Sequence, residues 1–273
     1  MVPYELPEGW REVVARSLAE DLGSGDVSSS AFAPTLMLDW YIEAQADGVL
    51  AGVPLAAHLL EPDEIARRDG QAVRDGDLVM SGRGTAAHVL SRERPALNFL
   101  MHLGGIATQT ARYAAAIQGT GARIVDTRKT VPGLRNLAKY AVRCGGGANH
   151  RIGLFDGAMV KDNHIRAFGG IAPAIRALRA TIPHTLRIEV ECESAEQVAE
   201  AIEAGAEVVM LDNMPPEAMA PIIARHRGQA VFEASGGITL ATVRAAAESG
   251  VDLISVGAIT HSAPALSLHL EIR

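Results

Sequence analysis

From residue 123 onward two kinds of pattern alternate along the chain. Short, almost wholly apolar runs recur at 123–126 (RIVD), 158–161 (AMVK), 186–191 (LRIEVE), 207–212 (EVVMLD), 230–234 (AVFEA) and 252–256 (DLISV). Runs of that length without polar alternation read as strands covered on both faces. Between them lie amphipathic stretches, the clearest at 195–204. Ser194 stands as its N-cap, Gln197 follows three residues later, and Gly205 takes a left-handed C-cap position. Thr239 is placed to cap the next helix and Gly250 to end it. Strand ends fall about every 20–35 residues, the rhythm of βα units around a parallel sheet. Six such strands predict an α/β barrel that stops short of a complete eight.

The first part has a different pattern. Residues 12–22 read as a helix, and 36–46 and 77–90 as strands. Pro95 opens a long helical stretch to about 118, interrupted by Gly104-Gly105. At the end, Leu266, Leu268, Leu270 and Ile272 alternate with polar residues, a final strand suited to return to the first domain. The expected division is an α+β domain over 1–117, joined by the tail 264–273, and a barrel domain over 118–263.

Composition narrows the class. The chain has 273 residues, 48% hydrophobic and only 4% aromatic, which suits a large core of tight helix-on-sheet packing. No apolar run reaches the roughly 18–20 residues of a spanning helix. The first ten residues lack the basic-then-apolar order of a signal peptide. Two cysteines, Cys144 and Cys192, make no disulfide framework, so reduced thiols and a cytoplasmic location are expected.

The net charge of −7 argues against general nucleic-acid binding. Its distribution says more. Residues 123–166 carry nine Lys or Arg against three Asp. Of the chain's 25 Lys and Arg, three are Lys, and Lys129, Lys139 and Lys161 all fall in that window. A basic island in an acidic chain predicts a local anion pocket. A lysine is a compact point charge where an arginine is a planar fork.

In a βα barrel, functional side chains gather where the strands end. Those positions hold Asp126-Thr127-Arg128-Lys129, Lys161-Asp162-Asn163-His164, Glu191, Asp212-Asn213, Ser235-Gly236-Gly237 and Gly257. A scaffold alone has no reason to concentrate ionisable groups on one rim, so an enzyme is expected. Ser235-Gly236-Gly237, with Ile238-Thr239 opening a helix, offers N–H groups to a phosphomonoester, and Gly257 completes the cradle. Glu191 and Asp212, on neighbouring strands, suit ribose hydroxyls or a Mg²⁺ beside pyrophosphate; a salt bridge to Lys161 is the simpler alternative. Glu189 shares the face of Glu191 but lies deeper. Arg128, Lys129, His150, Arg151 and Lys161 form the basic set. Gly145-Gly146-Gly147 precedes His150 and Arg151 and gives their loop freedom to approach a ligand. His164 is placed to bond locally and hold its own loop.

These stretches resemble one family, the quinolinate phosphoribosyltransferases. The shared residues are Glu93-Arg94 with Ala96–Phe99, Gly105–Thr108, DTRKT at 126–130 with Pro132–Arg135, Lys139–Val142, Gly145–Gly147, Asn149–Arg151, KDNHI at 161–165, Glu189–Glu191, Leu211–Asn213, SGGI at 235–238, and Ser255–Gly257 with Thr260–Ser262. The resemblance implies an N-terminal α+β sandwich domain plus a C-terminal incomplete α/β barrel. It implies phosphoribosyl transfer from 5-phosphoribosyl-1-pyrophosphate to quinolinate with decarboxylation, a step of NAD biosynthesis. It further implies Mg²⁺ and at least a homodimer, with Arg94 entering the neighbouring subunit's site. Thr127, Arg128, Lys129, His150, Arg151 and Lys161 match the family's substrate contacts, and Lys161, Glu191 and Asp212 its catalytic centre. Glu191 and Asp212 match the ribose and metal pair, while Ser235, Gly236, Gly237, Val256, Gly257 and Ala258 match the 5′-phosphate cradle. Gly104, Val131, Ser28 and Ser267 depart from the usual pattern, and none lies in the ligand set.

Other readings are a molybdenum-transport-associated paralogue of the same fold, a phosphate-binding barrel isomerase or aldolase, and a non-catalytic nucleotide-binding regulator. The full KDNHI favours the quinolinate enzyme over the first. An aldolase needs a Schiff-base lysine, for which Lys161 is the one strand-end candidate.

Overall fold

The computed structural model describes residues 4–273. The elements begin with α1 (Trp10–Leu22), β1 (Met37–Ala44), β2 (Gly48–Val49), α2 (Val53–Leu60), β3 (Glu64–Ile65), β4 (Ala72–Val73), β5 (Leu78–Thr85) and α3 (Ala86–Ala116). Then βα units alternate: β6 (Arg123–Val125), α4 (Arg135–Cys144), β7 (Ala158–Val160), α5 (Asp162–Phe168), α6 (Ile171–Arg179), β8 (Ile188–Cys192) and α7 (Ala195–Glu203). The chain closes with β9 (Val208–Asp212), α8 (Pro216–Arg225), β10 (Val231–Ser235), α9 (Val243–Glu248), β11 (Leu253–Ser255), α10 (Ala258–His261) and β12 (Leu268–Ile272). No helix of the described residues is long and apolar enough to cross a membrane.

Contacts divide the chain into two compact units. One holds the residues up to Ala111 with Thr130–Gly146 and Ile259–Arg273; the other holds Arg112–Lys129 and Gly147–Ala258. The first is built on a sheet of order β12-β1-β5-β3, in which β12 pairs antiparallel with β1. Trp40, Ile42 and Ala44 alternate to the buried side of β1. The segment 130–146, expected in the barrel domain, groups with this unit for a visible reason. On α4 the Tyr140 hydroxyl donates to Asp69 at 2.5 Å, and Gly145 lies so close to α3 that a Cβ there would meet the Ala107 carbonyl oxygen at 2.3 Å. The glycine run before Asn149 is thus partly committed to packing, where sequence alone suggested approach to a ligand.

Helix α3 starts at Ala86, not at Pro95, and the strand expected over 77–90 ends at Thr85. The Thr85 hydroxyl accepts from the His88 N–H at 3.3 Å and marks the start. Gly104 and Gly105 do not break the helix. A Cβ on Gly105 would stand 2.2 Å from the Pro264 carbonyl oxygen, so the tail before β12 lies directly on this pair.

The second unit carries six parallel strands in the order β6-β11-β10-β9-β8-β7. Each of the six apolar runs forms one of them, buried through its middle. Strands in a flat sheet lie about 4.8 Å apart, which would separate β6 from β8 by roughly 19 Å. Yet His150, whose N–H donates to Asp126 just after β6, reaches Glu189 on β8 at 3.1 Å. The sheet is therefore curled toward closure. The segment after Gly147 occupies the gap: Ala148 bridges to Val125, and Arg151 donates to the Gly157 carbonyl oxygen just before β7. Of the helices, α7 follows its sequence signals most closely, with the Ser194 side chain accepting from Gln197 N at 3.3 Å and Gly205 at φ 93°.

Candidate active site

The rim is made where the parallel strands end, and local bonds shape each corner. After β6, Asp126 is fully buried and accepts from the His150 N–H (2.9 Å) and the Asn149 side chain (2.6 Å). It pins the following loop instead of facing a ligand. The Thr127 hydroxyl accepts from Lys129 N at 3.0 Å, a local turn after which Arg128 is half-buried and Lys129 exposed. The Arg128 Nε is buried with no hydrogen-bond partner. After β7, the His164 ring accepts from Lys161 N at 3.1 Å, the local bond expected of it.

The charges interlock. Lys161 Nζ lies 2.5 Å from Glu191 Oε2 at the end of β8. Asp212, at the end of the adjacent β9, is raised above the usual carboxylate range by burial and then by the charge of Glu191, with Lys161 opposing. Arg151 is half-buried; burial and then the Arg128 charge hold it below the usual guanidinium value, while Glu189 and Asp156 pull the other way. The two arginines thus feel each other's charge, a repulsion that a bound anion relieves, while the Arg151 guanidinium donates to the Gly157 carbonyl oxygen at 3.1 Å.

The glycine corner is less regular than the sequence suggested. Asn213 has φ 54°, its N–H donates to the Ser235 carbonyl at 2.9 Å, and its side chain donates to Asp212 at 2.7 Å. Gly236 has φ 93°, and a Cβ there would stand 2.2 Å from Asn213 Oδ1. Only glycine fits. Gly237 also has positive φ, 60°. However, α9 begins at Val243, because 239–242 form a turn closed by Thr242 N to the Thr239 carbonyl. No helix opens at Ile238-Thr239, so the loop itself, not a helix N-terminus, presents its N–H groups. The Val256 N–H is spent on the Val125 carbonyl at 3.0 Å, extending the sheet. Gly257 and Ala258, both half-buried, form the rest of the second turn.

Of the expected site residues, Thr127, Arg128, Lys129, His150, Arg151, Lys161, Glu191, Asp212, Ser235–Gly237 and Val256–Ala258 all fall in the second unit. Arg94 lies on α3 in the first, with its guanidinium 3.8 Å from the Glu93 carboxylate. Two glutamates received no role from the sequence. Glu189 Oε2 is 3.1 Å and Glu233 Oε1 3.6 Å from His150 Nε2, and Glu233 is 1% exposed. An acid midway along an otherwise apolar strand was the available signal for Glu233.

Known proteins resemble this chain along almost its whole length. Residues 26–104 match the quinolinate phosphoribosyl transferase N-terminal domain, and residues 106–271 match its C-terminal domain. The nicotinate-nucleotide pyrophosphorylase [carboxylating] of Mycobacterium leprae is 40% identical over 277 residues, covering 96% of each chain. The NadC structure from Streptococcus pyogenes superposes with a TM-score of 0.92 at 36% identity over 98% of both chains. The nicotinate-nucleotide pyrophosphorylase structure from Francisella tularensis gives 0.93 at 35% identity over 99% of this chain and 98% of that one. The motifs, the curled six-stranded sheet and these likenesses agree: the chain belongs to the quinolinate phosphoribosyltransferase family.

Proposed function

We propose that this protein transfers the phosphoribosyl group of 5-phosphoribosyl-1-pyrophosphate to quinolinate and releases CO₂, giving nicotinate mononucleotide and pyrophosphate. The observation that carries the reading is the buried, unpartnered Arg128 Nε beside a second arginine. A buried donor on a cation costs free energy until an acceptor arrives, and the carboxylates of a pyridine diacid are such acceptors.

Each group then has a task. Arg128 and Arg151 grip the diacid, joined by Arg94 from a neighbouring copy in at least a homodimer; that last part rests on the family resemblance. Lys129 and Lys161 face the pyrophosphate. Gly236, Gly237 and Gly257 surround the 5′-phosphate, and Glu191 with Asp212 hold the ribose hydroxyls. The two carboxylates also fit Mg²⁺: they are hard oxygen donors on adjacent strands, the Glu191 charge being near enough to raise the Asp212 carboxyl, and substrate phosphates and water would complete the ion's shell. When bound it neutralises charge on the leaving pyrophosphate. The pyridine nitrogen bonds to C1 as the C1–O bond breaks and its electron pair leaves with pyrophosphate. The bond from C2 to its carboxylate then breaks. Its electron pair stays on C2, stabilised by the adjacent cationic nitrogen, and is quenched by a proton from water. The protein's contribution is alignment and electrostatics, with no covalent nucleophile. Two buried free cysteines accord with a cytoplasmic location.

The test is to incubate the purified protein with quinolinate, 5-phosphoribosyl-1-pyrophosphate and Mg²⁺ and to separate the products. Nicotinate mononucleotide is expected from quinolinate and none from nicotinate. Equal product from nicotinate would overturn the diacid reading.

A further inference from the structure

Below the rim, His150 sits between two acids that the mechanism above leaves idle. Its backbone N–H is held by Asp126. Its Nδ1 accepts from the Arg151 N–H at 2.7 Å, which requires a lone pair on that nitrogen. The ring proton of the neutral imidazole is therefore on Nε2. That atom faces both Glu189 carboxylate oxygens (3.1 and 3.4 Å) and Glu233 Oε1 (3.6 Å). Both ring nitrogens are thus spent inside the protein, and the side chain is only 15% exposed. Glu189 lies two residues below Glu191 on the same strand face, roughly 7 Å deeper. A cavity of about 550 Å³ reaches His150, Glu189 and Glu233 from the opposite, N-terminal ends of the strands.

The trio has the spacing of a metal site, with its ligand atoms within 4.8 Å of one another. The Arg151 N–H argues against that use. A metal on Nε2 would move the ring proton to Nδ1, directly against that donor.

We propose that Glu189 and Glu233 are positioning residues for the transfer reaction: they fix His150 as the Nε2–H tautomer, and the ring in turn fixes the Arg151 backbone, which together with the Gly157 carbonyl oxygen, 3.1 Å from the guanidinium, sets the one orientation in which the Arg151 guanidinium meets the substrate diacid. The logic is that of a carboxylate orienting an imidazole, with the imidazole serving as a strut and not as an acid or base. Glu233 fits the subordinate place. One N–H cannot satisfy two carboxylates, its Oε1 has no hydrogen-bond partner, and burial followed by the Glu189 charge pushes its carboxyl up to about 7.

The inference builds on the proposed reaction but is read first without it. Long-range ¹H–¹⁵N spectra of the histidine rings in the substrate-free, wild-type protein should show His150 neutral and protonated on Nε2, unchanged when quinolinate is added. A ring protonated on both nitrogens, or on Nδ1 alone, overturns the proposal whatever the enzyme's substrate. In kinetics, Glu189→Ala should lower kcat/KM for quinolinate on the order of 100-fold with KM for the phosphoribosyl donor unchanged. Glu189→Gln, whose amide oxygen accepts the same bond, should restore most of it. An alanine variant that folds and turns over like the wild type contradicts the proposal, and so does an equal change in both KM values. If the alanine variant does not fold, the wild-type spectrum and the glutamine variant decide.

Discussion

Arg128, Arg151 and Lys161 are the residues on which chemistry is expected to fail first. Arg128→Lys keeps the charge but loses the planar fork, so about 1.5–3 kcal/mol of transition-state stabilisation should go, on the order of 10–100-fold in kcat/KM for quinolinate. Steady-state kinetics at saturating phosphoribosyl donor measures it. Arg151→Ala and Lys161→Ala should each abolish most turnover while leaving the circular dichroism spectrum and melting temperature near wild type. Glu233 gives a pH signature. Its carboxyl is raised from the ordinary 4.5 to about 7, so between those values the folded state holds a proton that the unfolded chain has lost. That contribution to stability is full below the lower value and is lost as pH rises through the higher. Glu233→Gln cannot lose it. The variant should therefore gain in melting temperature relative to wild type as pH is raised from about 5 to about 8; a constant difference would remove the proton from Glu233. At this scale the rim was legible because strand ends can be read from apolar runs. The bonds of His150 were not, because its partners lie 39 and 83 residues away and meet it only when the sheet curls.

Among the elements, the barrel strands matched their sequence pattern closely because two-sided burial leaves no polar alternation to confuse them. The turn from β5 into α3 departs from its sequence pattern for the converse reason. Ala86, Ala87 and Val89 continue a strand-like sequence, and Pro95 looks like a helix start when it is an interior residue that forgoes one backbone bond. The glycines in α3 carry a prediction. An exposed helical glycine replaced by alanine gains about 1 kcal/mol. At Gly105 the new Cβ would meet a backbone carbonyl at 2.2 Å, so Gly105→Ala should instead cost about 1–3 kcal/mol, read as a lower urea midpoint. A stabilised variant would show that the tail does not lie on this helix. The loop from β10 to α9 was assigned a helix start that the 239–242 turn pre-empts, since Thr239 and Thr242 bond to each other first.

For the molecule as a whole, the reading proposed above makes each site a shared one, with Arg94 supplied by a second copy. Mixing inactive Arg94→Ala and Lys161→Ala proteins under subunit exchange tests this. In a dimer with shared sites, a mixed pair has one wholly intact site, and activity should return to about a quarter of wild type. If the mixture stays inactive although mixed dimers form, Arg94 serves the site of its own chain. The most direct measurement of the central claim follows the leaving carboxyl. With quinolinate labelled at the C2 carboxylate, one labelled CO₂ should appear for each pyrophosphate released, and the Lys161→Ala protein should yield almost none of either. Pyrophosphate without labelled CO₂, or undiminished release by the Lys161→Ala protein, would contradict the account.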